Sequence, residues 1–200
     1  MRERSLRRAN WHRHVLAVNA PAALAGWLTS GGSLTARLKA HADTFRVQVL
    51  GQHPAQCLAD EAAALGLDRA GSGRARCWER EVLLRCDNTP VVFAHTVVPM
   101  SATAADWPLF SALGERSLGT TLFGDPMVAR GPLEYARLRA SHPLARRARA
   151  ALSGEGIAVP EEQMLYARRC LYRRRQGTLL VTEVFLPRVA ALVPRTPNTR

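Results

Sequence analysis

Two charged side chains stand in otherwise apolar strand patterns of this 200-residue chain. Successive side chains of a β-strand point to opposite faces, so residues two apart share a face. In residues 78–85 this alternation places Arg80 in an apolar row. In residues 179–186, Glu183 is the only charge in a strand that is apolar on both faces. Because burying an unpaired charge is costly, such groups are either paired or functional.

The pattern leaves two interpretations of Arg80 and Glu183 open. The two side chains could neutralise each other in a buried salt bridge, or both could face a bound ligand. A guanidinium offers a planar fork to a carboxylate, and an ionised glutamate accepts hydrogen bonds from a hydroxyl. His95 lies in a further apolar row with Val91 and Phe93. By itself, that pattern is more typical of a core histidine with a satisfied hydrogen bond.

Two turns of small residues, 31–34 and 117–120, lie next to predicted helix starts. Free backbone N–H groups in such turns can hold an anion, although glycine turns are far commoner than anion sites. The sequence contains no zinc-protease helix motif, no nucleophile elbow, no Walker loop and no dinucleotide fingerprint. His12 and His14 are an isolated pair, for which we expect no metal site.

Strand alternation and turn residues predict the elements that would position these side chains. A hairpin is expected over residues 78–98 with its turn at 87–90, and a second over 165–186 with its turn at 176–177. Residues 45–49 alternate as a further half-buried strand. Such short connections predict a mostly antiparallel central sheet. With helices packed on one side, this is an α+β fold.

Helical segments are predicted between and after these strands. Pro21 and Ser33 suit the starts of two short helices. Residues 51–76 resemble a long loop with a helical piece near its centre. A helix is expected from about residue 102 to 113, with short ones beyond Gly119. We divide the chain into a mobile basic arm at 1–14, a single domain at 15–187 and a tail at 188–200.

Composition limits the classes of protein that the chain can belong to. The formal charge of +12 raises the possibility of nucleic-acid binding, but the arginines are spread along the chain and aromatic residues make up only 6%. We therefore expect no nucleic-acid partner. The four cysteines form no CxxC pair and are expected to be reduced thiols. With no signal peptide or transmembrane segment evident, we expect a cytoplasmic protein, and a monomer.

Four segments together resemble the chorismate pyruvate-lyase family in order and spacing. They are WEREVLL at 78–84, FAHTVVP at 93–99, LGTTLF at 118–123 and LVTEVFLP at 180–187. The resemblance covers roughly residues 20–187. It implies a central antiparallel sheet, an internal ligand cavity under helical flaps and no cofactor. It also implies conversion of chorismate into 4-hydroxybenzoate and pyruvate, the first step towards ubiquinone.

The resemblance also implies roles for particular residues. The family's pocket arginine and glutamate fall on Arg80 and Glu183, which we predict to be catalytic and substrate-binding. The positions at which the family's backbone contacts the ligand correspond to Leu34 and Leu118, which we also predict to bind substrate. Where well-known members carry a second pocket arginine, this chain has His95, which we predict to bind substrate in its place. No metal site is implied.

Two further features of the sequence bear on this resemblance. Residues 141–162 and the segment after Pro187 are longer than in compact members of the family, and neither inherits a role from it. The alternative function is a non-catalytic, sensor-like domain of related fold that binds a small aromatic acid. Fold by itself does not decide between the two.

Overall fold

A six-stranded sheet forms the centre of the computed structural model, which describes residues 8–67, 75–103, 105–108, 110 and 112–194. The strand order is β1-β2-β3-β6-β5-β4, and every neighbouring pair is antiparallel. The predicted α+β class is therefore confirmed. The strands are β1 (Phe45–Gln56), β2 (Arg76–Cys86), β3 (Thr89–Pro99), β4 (Val128–Leu138), β5 (Leu165–Arg174) and β6 (Gly177–Phe185).

Tight turns fix the register of the two hairpins. At the β2–β3 turn, Asp87 and Asn88 adopt left-handed φ angles of 46° and 64°, a conformation that Asp and Asn tolerate better than most residues. The Asp87 carboxylate also accepts hydrogen bonds from the backbone N–H groups of Asp43 and Thr44, which holds the start of β1 beside this turn. The hairpin predicted for residues 78–98 is thus confirmed.

The described residues form five α-helices and three short 3-10 helices, which lie before, between and after the strands. The α-helices are α1 (Ala22–Thr29), α2 (Leu34–Lys39), α3 (Ala59–Ala64), α4 (Leu118–Gly124) and α5 (Pro143–Ser153). The 3-10 helices are Val15–Val18, Met100–Ala102 and Pro187–Ala191. Ser33 caps α2 as predicted, accepting a hydrogen bond from the backbone N–H of Ala36.

Three segments differ from their prediction. The helix expected over about 102–113 is wrong: the described part has one 3-10 turn followed by irregular turns. Strand β1 continues to Gln56, where a loop was expected. The segment 141–162 contains α5, an 11-residue helix where only short helices were predicted, and the strand β4 that precedes it was not predicted.

Helices cover both faces of the sheet, whereas the sequence pattern favoured one. On one face, Leu28 of α1 and Leu38 of α2 pack with Val82 of β2 and Val92 of β3. On the other face, apolar residues of α5 at i, i+4 and i+8 pack against Leu83 and Phe93. The second helical layer, α5, lies in the 141–162 segment, to which the family resemblance assigns no role.

Both predicted terminal segments make contacts in their described parts. His12 pairs with Tyr135 at the edge of β4, and the Trp11 ring lies 4.3 Å from the Arg169 guanidinium. Residues 1–7 of the expected arm and 195–200 of the expected tail lie outside the described residues. Val189, within that tail, is fully buried. No α-helix in the described ranges is long and apolar enough to cross a bilayer.

Candidate active site

One cavity lies between the sheet and the two short helices α2 and α4. Its atom-free volume is about 650 Å³, part of which opens to solvent. The cavity wall contains four of the five predicted site residues, Leu34, Arg80, Leu118 and Glu183. The remaining lining residues are Gly32, Thr35, Val47, Val82, Leu84, Ala94, Thr96, Ser117, Gly119, Leu122, Phe123, Arg130, Leu133, Arg168, Tyr172 and Val181.

Arg80 reaches the cavity from β2 and is only 2% exposed. Its Nη2 donates to the carbonyl oxygens of Gly114 at 2.8 Å and Arg116 at 3.3 Å, which lie just before α4. Its buried Nε has no hydrogen-bond partner in the structure. Burial lowers the pKa of this guanidinium, although an arginine remains charged at any physiological pH. Arg80 is therefore a fixed cation that retains a free donor.

Glu183 is paired with Arg168, so the interpretation of a buried Arg80–Glu183 salt bridge is wrong. The Arg168 Nε lies 2.5 Å from the Glu183 Oε2, across the β5–β6 hairpin. Arg168 is 2% exposed, and its Nη1 also donates to carbonyl oxygens near the end of α1, those of Trp27, Leu28 and Ser30. Arg168 thus holds the glutamate in place and fastens α1 to the sheet.

Arg168 was not predicted as a site residue because five of the eight residues from 168 to 175 are arginines, and nothing in the sequence distinguishes one of them from the others. The predicted turn at 176–177 would have put Cys170 opposite Glu183. The observed turn has Arg175 at a left-handed φ of 51° and pairs Arg174 with Gly177. This register brings Arg168 opposite Glu183.

Arg130 is a further arginine of the cavity that was not predicted from the sequence. It enters from β4, and its Nη1 donates to the carbonyl oxygen of Gly31, just before α2. Its guanidinium lies 5.4 Å from the ring centroid of Phe123 in α4, within the range of a cation–π contact. Its Nε is buried without a hydrogen-bond partner in the structure. Arg130 therefore contacts the segments on both sides of the cavity mouth.

The helices α2 and α4 meet over the cavity as a pair of flaps. The hydroxyl oxygens of Thr35 in α2 and of Ser117, the N-cap of α4, lie 2.5 Å apart. A Cβ at Gly119 would lie 3.2 Å from the Thr35 hydroxyl, so the absence of a side chain at this position allows the close approach. Leu34 and Leu118, the first residues of the two helices, are thereby brought to the same cavity.

His95 does not line this cavity, so the structure gives no support to its predicted role in substrate binding. Its neighbours in β3, Ala94 and Thr96, face the cavity, and alternation turns His95 to the opposite face. There the fully buried imidazole lies 3.0 Å from a Glu61 oxygen and 3.2 Å from a Glu81 oxygen. Although burial opposes the charged form, these two carboxylates raise the pKa of His95 to about 10.

The cavity carries a net positive charge. Its described lining has three arginines and one glutamate as charged residues, which leaves a formal charge of +2. Arg168 is neutralised by Glu183, whereas Arg80 and Arg130 have no carboxylate partner among the described ion pairs. In a water-poor site such cations favour an anionic ligand strongly. The arrangement is suited to a small organic dianion.

Comparison with known proteins shows to which family the chain belongs. A model described as chorismate lyase matches residues 5–193. The chain belongs to the chorismate lyase family. The "Probable chorismate pyruvate-lyase" of Ralstonia nicotianae is 51% identical over 172 residues, covering 85% of this chain and 84% of that protein. The equivalent protein of Cupriavidus metallidurans is 48% identical over 181 residues, covering 90% and 81%.

Solved structures of low sequence identity share the fold of this chorismate lyase family member. PhnF from Mycobacterium smegmatis has a TM-score of 0.51 at 15% identity, covering 80% of this chain and 65% of that one. A GntR-family transcriptional regulator from Bacillus cereus has a TM-score of 0.51 at 11% identity, covering 78% and 99%. At these identities the likeness concerns the fold alone.

Proposed function

We propose that this chain is a chorismate pyruvate-lyase, which converts chorismate into 4-hydroxybenzoate and pyruvate as the first step towards ubiquinone. The observation that carries the proposal is that Arg80 and Glu183 both lie on the wall of one cavity and do not pair with each other. Arg80 donates to a backbone carbonyl oxygen, and Glu183 pairs with Arg168. Membership of the chorismate lyase family supports the choice of substrate.

The proposed substrate matches the charges of the cavity. Chorismate carries a ring carboxylate, a second carboxylate on its enolpyruvyl ether, and a ring hydroxyl. We assign the ring carboxylate to Arg80, whose free Nε can add a charge-assisted hydrogen bond. The backbone at Leu34 and Leu118 would contribute further polar contacts to the bound molecule. Glu183 would accept the hydrogen bond of the ring hydroxyl.

The reaction draws its driving force from the substrate. The bond between the ring and the enolpyruvyl oxygen breaks, the hydroxyl-bearing ring carbon loses its hydrogen, and the ring becomes aromatic. The methylene carbon of the departing enolpyruvate gains a hydrogen, which yields pyruvate. The protein's task is to hold the reactive conformer, exclude water and stabilise the developing charge. Glu183 beside the ring hydroxyl is placed to orient the carbon that loses the hydrogen.

Closure of the flaps would serve the exclusion of water. The Thr35–Ser117 contact brings α2 and α4 together above the cavity. Substrate entry and product exit therefore require these two helices to separate. In enzymes of this kind, opening rather than chemistry often limits turnover.

The test is direct assay of the purified chain with chorismate. We expect equimolar 4-hydroxybenzoate, followed by its absorbance, and pyruvate, followed with lactate dehydrogenase and NADH. Binding of 4-hydroxybenzoate with no turnover of chorismate would instead support the sensor-like alternative. Neither binding nor turnover would refute both functions.

A further inference from the structure

Two arginines of the cavity, the buried Arg80 and the half-buried Arg130, lack a carboxylate partner among the described ion pairs, and only Arg80 has been assigned a role. Arg80 and Arg130 each have a buried Nε without a hydrogen-bond partner, and neither belongs to an ion pair among the described residues. An unsatisfied buried donor of a charged group is costly. Two such donors on the wall of one cavity therefore indicate two anionic groups on its ligand.

Arg168 is excluded from this role by its existing contacts. Its Nε is paired with Glu183, and its Nη1 donates towards three backbone carbonyl oxygens. His95 is excluded by its position on the opposite face of the sheet. Of the cavity's described cations, Arg130 is the one left for a second carboxylate.

We infer that Arg130 binds the enolpyruvyl carboxylate of chorismate and so discriminates the dianionic substrate from the monoanionic aromatic product. This inference rests on the proposed function. The inference assigns the second carboxylate to Arg130 on the edge strand β4, and not to His95, as the family resemblance suggested. Arg130 is a substrate-binding, specificity-determining residue in this assignment.

The order of the strands supports the assignment. Arg80 lies on β2, Glu183 on β6 and Arg130 on β4, and the sheet order places β6 between the other two. In chorismate the ring hydroxyl is opposite the ring carboxylate, and the enolpyruvyl ether is on the ring carbon next to the one that bears the hydroxyl. With the ring carboxylate at Arg80 and the hydroxyl at Glu183, the enolpyruvyl group therefore extends from the Glu183 end of the ring, and Arg130 lies beyond Glu183 in the strand order.

The contacts of Arg130 also connect this second carboxylate to the flaps. The residue donates to Gly31, which precedes α2, and its guanidinium lies against Phe123 of α4. A carboxylate bound at its Nε would fix the guanidinium between these two segments. The dianion would therefore hold the flaps together more firmly than the product left after pyruvate departs.

The experiment compares Arg130→Ala with Arg130→Lys and with Arg137→Ala, an exposed arginine on the same strand that lies outside the cavity. Loss of a charge-assisted contact should raise KM for chorismate by about 10- to 100-fold in Arg130→Ala. The dissociation constant for 4-hydroxybenzoate, measured by calorimetry, should stay near the wild-type value because this ligand lacks the second carboxylate. The lysine variant should recover part of the loss, and Arg137→Ala should match the wild type.

Each outcome separates this inference from the proposed function. If Arg130→Ala keeps the wild-type KM, the inference is overturned while the lyase activity stands. If it weakens both ligands equally, Arg130 shapes the cavity in general and the inference is again overturned. Retained 4-hydroxybenzoate binding also shows that the variant is folded. Absence of chorismate turnover in the wild-type chain would remove the proposed function and the inference together.

Discussion

Arg168 and Glu183 lie directly opposite each other on β5 and β6 and form a 2.5 Å ion pair on the cavity wall. The pair gives the glutamate a fixed position without using Arg80. Since Arg168 also donates to carbonyl oxygens near the end of α1, one buried side chain serves both the site and the packing of the first helix. This double role leads to the first prediction.

Arg168→Ala should destabilise the fold as well as the site. The substitution leaves Glu183 without its partner and removes the donor from the carbonyl oxygens of Leu28 and Ser30. Removing one partner of a buried ion pair typically lowers the free energy of unfolding by roughly 3–5 kcal/mol. We expect the free energy of unfolding in urea to fall by about 3 kcal/mol. Arg173→Ala, on the same strand and exposed, is the control; equal stability of the two variants would contradict the prediction.

Arg80→Ala should impair both binding and turnover. The side chain supplies the charge for one carboxylate and holds the Gly114 and Arg116 carbonyl oxygens before α4. We expect kcat/KM for chorismate to fall by about 100-fold, with weaker 4-hydroxybenzoate binding measured by calorimetry. Arg85→Ala changes an arginine of the same strand outside the cavity and serves as the control. Normal kinetics in Arg80→Ala would count decisively against the assigned site.

Glu183→Gln should affect turnover more than binding. The amide keeps the shape of the side chain but removes the charge beside the ring hydroxyl. Loss of one hydrogen-bonding group that stabilises the transition state typically costs about 100-fold or more in rate. We expect kcat to fall by about this factor while KM changes much less, measured by steady-state assay. A rise in KM with kcat intact would instead make Glu183 a residue of ground-state binding.

His95→Gln should leave catalysis nearly unchanged and alter the pH dependence of stability. With Glu61 and Glu81 beside it, the folded-state pKa of His95 is about 10, above the ordinary 6.5. The stability gained from its charge is therefore fully present below pH 6.5 and is lost as pH rises towards 10. Thermal or urea unfolding should show the wild-type advantage over the variant shrinking between pH 6.5 and 10, by an amount on the order of 3 kcal/mol.

Two findings would contradict this account of His95. A stability difference between wild type and His95→Gln that does not change with pH would mean that the imidazole is neutral in the fold. A large loss of kcat/KM for chorismate, with stability unaffected, would indicate that His95 takes part in substrate binding or turnover. Glu115→Gln, an exposed residue near the flap, provides a control for changes of surface charge.

The side of the sheet on which the site lies could be predicted from period-two patterning. Arg80 and Glu183 face one cavity because strand geometry leaves a side chain only two directions. The same patterning put His95 in an apolar row, and the structure confirms it as a buried histidine with polar partners. The substrate-binding role predicted for His95 came from matching family positions and not from alternation, and the position of His95 outside the cavity does not support it.

The remaining site residues could not be predicted because they depend on register. Arg168 meets Glu183 only when Arg175 takes a left-handed conformation that turn propensities disfavour for arginine. Arg130 belongs to β4, whose alternation is interrupted at Gly131 and Pro132, where the pairing shifts. A sequence pattern broken at that point gives no strand signal.

The hydroxyl pair of Thr35 and Ser117 spans two chain segments that are 82 residues apart in sequence. A hydrogen bond between neutral groups contributes only about 1 kcal/mol, a little more than thermal energy. Breaking this contact between the two helices therefore costs little free energy. Substitution of Thr35 or Ser117 can thus change the rate at which small molecules enter the cavity. The side chains that act on the substrate lie on the strands of the sheet and keep their positions.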